Sequence, residues 1–306
     1  MRAIERFVFV VEDPRRLAAL RIGLFGLLAW RIATNDEYSL VADQPTELFD
    51  PVSLFHLLPS MPSSEVALVV QALGVVSAAV AAAGVVPRAS FPLAFACALF
   101  LGLMLNSVGK IIHNDVVLML CLLPLLASPR AACAAWALRL SQGQRPRRVT
   151  EASVAFGWPI RVAMIVIALA YFITGFQKLR YSGIEWATSE NLRWVLYASS
   201  DAGRTPSDIA LFIADRIWLV HALAAGTLAL ELGFPLCLRF PRLRWIFVPG
   251  VVSLHTGIWL AMGLDYSAQF LAVIIVFVNW TAIPGWTRAR LRGDRRAAVR
   301  AEEAVP

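Results

Sequence analysis

Eight apolar stretches punctuate the chain, at residues 15–33, 65–86, 91–109, 112–128, 159–178, 217–239, 244–263 and 265–282. Each comes near the roughly 20 residues that a helix needs to cross a hydrocarbon core. Only Gly263-Leu264-Asp265 separates the last two. Two longer polar connections, 34–64 and 179–216, each hold a short amphipathic run. The first is Val52–Leu58, bracketed by Pro51 and Pro59; the second is Ile209–Ile213, preceded by Trp186, Trp194 and Tyr197. These runs read as interfacial or re-entrant helices, with aromatics at headgroup depth. The pattern predicts an all-α polytopic membrane protein with about eight transmembrane helices and amphipathic helices capping the outer face. One helical domain, 1–286, precedes an Arg-rich tail, 287–306. Glu12 and Asp13 ahead of the first apolar run, with Arg15 and Arg16 at its start, argue against a cleaved signal peptide.

Composition strengthens this reading. The 306 residues are 58% hydrophobic and 16% charged, against about 45–50% and about 25% in a soluble domain. A disordered chain is excluded on the same ground. Of the 28 Lys and Arg, 20 fall on the side of the N-terminus. The opposite side receives six, Lys110, Lys178, Arg180, Arg193, Arg204 and Arg216, and Arg21 and Arg31 lie within the first apolar run. Loop 34–64 has no basic residue, yet carries Asp36, Glu37, Asp43, Glu47 and Asp50. This asymmetry predicts a cytoplasmic-membrane protein with both termini in the cytoplasm. The net charge of +7 is therefore a topology signal and implies no nucleic-acid partner; the tail is expected on anionic headgroups. Cys97, Cys121, Cys133 and Cys237 lie in or beside apolar runs without C-x-x-C spacing, as buried small hydrophobes do.

Ionisable groups inside a membrane need a partner, a wet cavity or a function. Here they gather toward the outer leaflet: Lys110, His113, Lys178, His221 and His255, with His56 in the loop above. The chain has 26 arginines but only two lysines, and both belong to this group. Lysine differs from arginine in that burial can take its proton away. A lysine ending an apolar helix is thus either a general base or a snorkelling amine. Lys110 fits snorkelling. Lys178 fits function, because Tyr171, Thr174 and Gly175 share its helical face and Gly175 leaves room beside it. His113 and His255 are either satisfied structural imidazoles or proton-handling groups. Candidate catalytic residues are Lys178, His113 and His255; candidate substrate contacts are Asn114, Tyr171, Thr174, Gly175, Trp186 and His221. No metal is expected, since His113 lacks a second histidine at helical spacing. Arg21 and Glu231, both placed toward the inner third, are expected to form a buried structural ion pair. Nucleotide-binding, serine-hydrolase and zinc-protease motifs are absent from the sequence.

The run Tyr171-Phe172-Ile173-Thr174-Gly175-Phe176-Gln177-Lys178-Leu179 resembles the Y-F-I-x-G-x-x-K-L segment of vitamin K-dependent gamma-carboxylases and the wider horizontally transferred transmembrane domain family. Asp13-Pro14, Arg21 and Phe25-Gly26-Leu27-Leu28 resemble that family's opening helix. His113, Glu231 and His255 match family positions in order, and the resemblance covers about residues 12–282. It implies that Lys178 deprotonates a reduced quinone of the vitamin K or menaquinol type, with His113 beside it on the outer side. In the carboxylases, oxygenation of the quinol then yields a strong base for glutamate carboxylation. Two departures argue against carboxylation of protein glutamates: the large lumenal domain is missing, and the family's N-N-H reads Ile111-Ile112-His113.

Three functions follow as expectations. The first is an enzyme using Lys178 as base on a lipophilic quinol or other isoprenoid in an outward-facing apolar cavity. The second is a redox-neutral isoprenoid cyclase or isomerase with the same cavity. The third is a non-enzymatic lipid-binding or transport-related subunit. Membrane lipids and a lipophilic small molecule are the expected partners.

Overall fold

The computed structural model describes residues 2–109, 112–128, 152–203 and 208–280. Among these residues the regular structure is helical, and β pairing is confined to isolated bridges of Glu12 with Ser153 and Asp50 with Val108. Helix α1 (Arg2–Val8) leads to α2 (Pro14–Thr34). Pro14 opens α2, and the Asp13 carboxylate accepts the Arg15 N–H at 2.7 Å, a cap that satisfies one of the free N–H groups of the first turn. Beyond α3 (Glu37–Ala42) and 3-10 turns at Thr46–Leu48 and Ser53–Leu57 come α4 (Ser64–Ala83) and α5 (Pro87–Leu105). Then follow α6 (Val116–Leu126), α7 (Val154–Ser182), α8 (Glu185–Thr188), α9 (Asn191–Asp201) and α10 (Ile209–Ala214). The described chain ends with α11 (Ile217–Gly233), α12 (Leu236–Arg239), α13 (Arg244–Met262) and α14 (Ser267–Phe277).

Five helical segments are long and apolar enough to cross a membrane: α2, α4, α5, α7 and Pro241–Met262, which contains α13. The chain is an all-α membrane protein on this evidence. The other three expected spans are helical over shorter lengths, as α6, α11 and α14. An 11-residue helix rises only about 17 Å, against a core of about 30 Å. Two causes are visible. Residues 114–115 and 265 leave the helical path to contact one another and Arg31. The expected span 217–239 breaks at Phe234-Pro235, where proline has no N–H to continue the ladder.

Helix α2 is the hub, packed on α4, α6, α7 and α14, while α4–α5, α6–α7, α7–α11 and α13–α14 close the bundle. Leu24, Phe25, Leu101, Leu118, Met164 and Ala272 lie in one apolar core. Outside it, α4 and α13 leave large residues such as Leu68, Val69, Trp245 and Ile246 exposed. Apolar surface on this scale needs a lipid or protein partner. Arg16, Arg161 and Arg244 mark the near end, where α2 begins, and Arg31, Asp115 and Asp265 mark the far end. Beside the main core, α9 and α10 pack on α13 through a small core of Leu196, Ala210, Ala214 and Ala261.

The expected Arg21–Glu231 pair does not form. Glu231 bonds Lys178 instead. Arg21 is 1% exposed and packs against Gly84, the left-handed residue (φ 76°) that ends α4. A Cβ at Gly84 would lie 2.9 Å from the Arg21 guanidinium carbon. The carbonyl end of α4 offers the guanidinium a partial negative charge, although its Nε and Nη1 have no hydrogen-bond partner. The pairing failed because helix offset is not visible in register counting. Helix α7 runs 29 residues, and Glu231 falls beside its last turns, at Gly175 and Lys178.

Candidate functional site

Gly175 sets the geometry. A Cβ there would stand 2.9 Å from Glu231 Cβ and 3.2 Å from the Leu232 backbone nitrogen. The missing side chain thus lets α7 and α11 approach closely. The space beside Gly175 is filled by α11 rather than open to a ligand. One turn later, Lys178 Nζ reaches Glu231 Oε1 at 2.5 Å and lies 4.6 Å from the centre of the Trp186 ring. The lysine side chain keeps 23% of its surface exposed and the glutamate 6%. A charged pair this buried is held by mutual attraction and by the aromatic face, against the cost of removing both charges from water.

One turn before Gly175, the Tyr171 hydroxyl and His255 Nε2 are 2.8 Å apart. Phe234 stacks on Tyr171 with ring centres 4.8 Å apart, fixing the phenol. His255 lies within electrostatic reach of Lys178. Two polar atoms of this cluster, Glu231 Oε2 and His255 Nδ1, are buried without a partner. Buried polar groups are normally satisfied, so these two atoms set the cluster apart from the rest of the core.

Tyr266 continues the row. Its ring centre is 5.3 Å from that of His255 and 6.0 Å from that of His113, and its hydroxyl lies 3.4 Å from His113 Nε2. At the far end of α2, Arg31 Nε donates to Asp115 at 2.9 Å and Nη1 to Asp265 at 2.5 Å. Asn114 Nδ2 donates to the Asp265 carbonyl at 2.8 Å. These bonds tie α2, the start of α6 and the turn before α14 into one lock.

No family model, curated protein or solved structure matches this chain.

A cavity of about 420 Å³ opens beside the lock, between α2, α5 and α6. His113, Arg31, Asp115, Tyr38 and Asn106 line its polar end. Phe95, Leu99, Leu103, Met119, Leu120 and Leu123 line the rest. Leu99, Leu120 and Leu123 are each about two-fifths exposed on the bundle surface, so the apolar end faces the lipid side. Burial, reinforced by the Asp115 charge, pushes the Tyr38 hydroxyl up to about 12, so it stays protonated as a donor at the cavity end.

The sequence-derived candidates therefore divide. Lys178, Trp186, Tyr171, Gly175 and His255 belong to the interior cluster. His113 lines the cavity, and Asn114 belongs to the lock rather than to an open site. The Thr174 hydroxyl returns to its own helix, donating to the Ala170 carbonyl at 2.8 Å. His221 sits in the second turn of α11, with Nε2 buried and without a hydrogen-bond partner. Lys110 lies outside the described residues, as do Cys133 and the tail 287–306. Tyr266, Arg31, Asp115 and Asp265 were missed as site residues. The signal for them was present: an Asp-Tyr pair interrupting two apolar runs, and an arginine one turn from the end of the first span.

Proposed function

We propose that the protein is a membrane-embedded enzyme that handles a proton on a lipophilic quinol or related isoprenoid. The observation that carries this reading is the row of ionisable and aromatic side chains running from Lys178 through His255 and Tyr266 to His113, on apolar helices and the turns between them, ending at an apolar cavity. Such groups are costly in a bilayer and mark function by default. A volume of about 420 Å³ suits one isoprenoid or acyl tail, with a hydroxyl meeting the polar end. The reading agrees with the resemblance to the transmembrane part of vitamin K-dependent gamma-carboxylases, in which a lysine at this place in the motif is the base.

Lys178 and Glu231 act together. Held at 2.5 Å, they form one hydrogen-bonded ion pair. The substrate hydroxyl meets the polar end of the cavity and gives its proton to His113; Tyr266 leads from there to the interior cluster, where the Lys178–Glu231 pair receives the proton. His255, positioned by Tyr171, offers the next acceptor. A quinol, when bound, supplies the redox chemistry. The basic excess on the N-terminal side supports a near end in the cytoplasm and a far end outside, with an even number of crossings, eight on this reading.

The test is turnover of a supplied reduced quinone by purified wild type and variants. Lys178→Arg is expected to be as inactive as Lys178→Ala, because guanidinium does not give up its proton. A fully active Lys178→Arg would reduce Lys178 to a supplier of charge. A lipid-binding subunit without catalysis is the second reading, favoured by the closure of Lys178 onto Glu231. Full biological function in Lys178→Ala would support it.

A further inference from the structure

At the near end, three helices bring arginines together: Arg16 from α2, Arg161 from α7 and Arg244 from the start of α13. Glu12 Oε1 accepts a hydrogen bond from Arg16, and another from Arg161 Nη2 at 3.0 Å. Arg244 donates to the Cys237 carbonyl at 3.3 Å, stands 5.7 Å from the Phe277 ring centre, and lies within electrostatic reach of the other two. Glu12 is the one carboxylate recorded against them among the described residues. Three cations facing one anion leave an excess of two positive charges on mostly buried groups. Arg161 Nε is buried and has no partner. Partly desolvated like charges repel, and they persist where an anion completes the set.

The surroundings say what kind of anion. Trp245, beside Arg244 in sequence, is 85% exposed, and Ile246 and Phe240 are exposed with it. Arg239 and Arg242 are exposed on the same turns. Arg16 also edges a narrow crevice walled by Ile160, Ile275 and Trp280. Cations next to exposed tryptophan and aliphatic surface fit a headgroup with its chains attached. A free anion would leave that apolar rim unused.

We propose that Arg16, Arg161 and Arg244 hold the phosphodiester of an anionic phospholipid, with Trp245 and Ile246 against its acyl chains. Guanidinium forks match phosphate oxygens in pairs, which lysine does not do. This site is remote from the Lys178 cluster and does not depend on the reading of that cluster.

The experiment uses the full chain in detergent micelles, with phosphatidylglycerol or phosphatidylcholine added, read by native mass spectrometry and thermal unfolding. Phosphatidylglycerol is expected to remain bound and raise the unfolding temperature; phosphatidylcholine is not. Arg244→Gln, which leaves the Glu12 bonds intact, is expected to weaken phosphatidylglycerol binding about tenfold or more. For the wild type alone, the preference is expected to shrink as salt rises from about 50 to about 500 mM. Equal retention of both lipids, a salt-independent preference, or unchanged binding in a folded Arg244→Gln would overturn the proposal. So would inorganic phosphate reproducing the stabilisation, since that would make this a site for a free anion.

Discussion

Glu231→Gln tests the pair on which the interior cluster is built. The substitution keeps the shape of the side chain and removes its charge, leaving the Lys178 ammonium with the Trp186 face alone. Breaking a fully buried pair costs about 3–5 kcal/mol. Lys178 retains 23% exposure, so part of its charge can be met by water, and the aromatic contact returns up to about 1–2 kcal/mol. The expected loss is therefore about 2–3 kcal/mol, read by thermal or denaturant unfolding in detergent. Lys178→Met alone should cost a similar amount, because it strands the carboxylate. The double variant should be much milder than the sum, with a coupling of about 2 kcal/mol. A parallel cycle between Arg21→Met and Glu231→Gln should be additive within about 0.5 kcal/mol, since these residues do not pair. Additivity in the Lys178–Glu231 cycle, or strong coupling in the Arg21–Glu231 cycle, would refute the assignment.

Three further outcomes are expected. Gly175→Ala should cost about 1–3 kcal/mol through overpacking against Glu231 and Leu232. Gly226→Ala, with nothing within 4 Å of the new Cβ, should be neutral or stabilise by up to about 1 kcal/mol in the same unfolding assay. Tyr171→Phe should cost about 1–3 kcal/mol by leaving His255 without its hydroxyl partner; Thr174→Val should change stability by less than about 0.5 kcal/mol. Finally, Tyr38 stays neutral when folded up to about 12, whereas its unfolded form ionises near about pH 10. The unfolded state then binds fewer protons than the folded one, so wild-type stability should fall between about pH 10 and about 12. The Tyr38→Phe variant should lose that component of the slope, which alkaline unfolding curves will show.

The apolar runs were legible because length and hydropathy alone identify a membrane helix. The short amphipathic segments Val52–Leu58 and Ile209–Ile213 were also legible, and they fold as the 3-10 turn Ser53–Leu57 and helix α10. What escaped depended on contacts between distant residues. Arg31 bonds Asp115 and Asp265, 84 and 234 positions away, in the turns just before α6 and α14. No periodicity encodes them. The face bearing Tyr171, Gly175 and Lys178 could be drawn on a helical wheel. Its partner could not, because the offset between α7 and α11 is set by the close approach at Gly175. The cavity was expected beside Lys178, whereas the described one lies at His113 between α2, α5 and α6. Tyr266 was overlooked because it stands in a four-residue turn.

Gly102 offers the most direct test of the central claim. It lines the cavity, and a Cβ there would meet nothing within 4 Å, so Gly102→Leu can fill the space without disturbing the helix packing. The measurement is mass spectrometry of lipids extracted from purified wild type and from Gly102→Leu, each compared with the bulk membrane. The account predicts an isoprenoid enriched in the wild type and lost from a variant of unchanged stability. An extract matching bulk lipid in both, or the same enrichment in both, would contradict it.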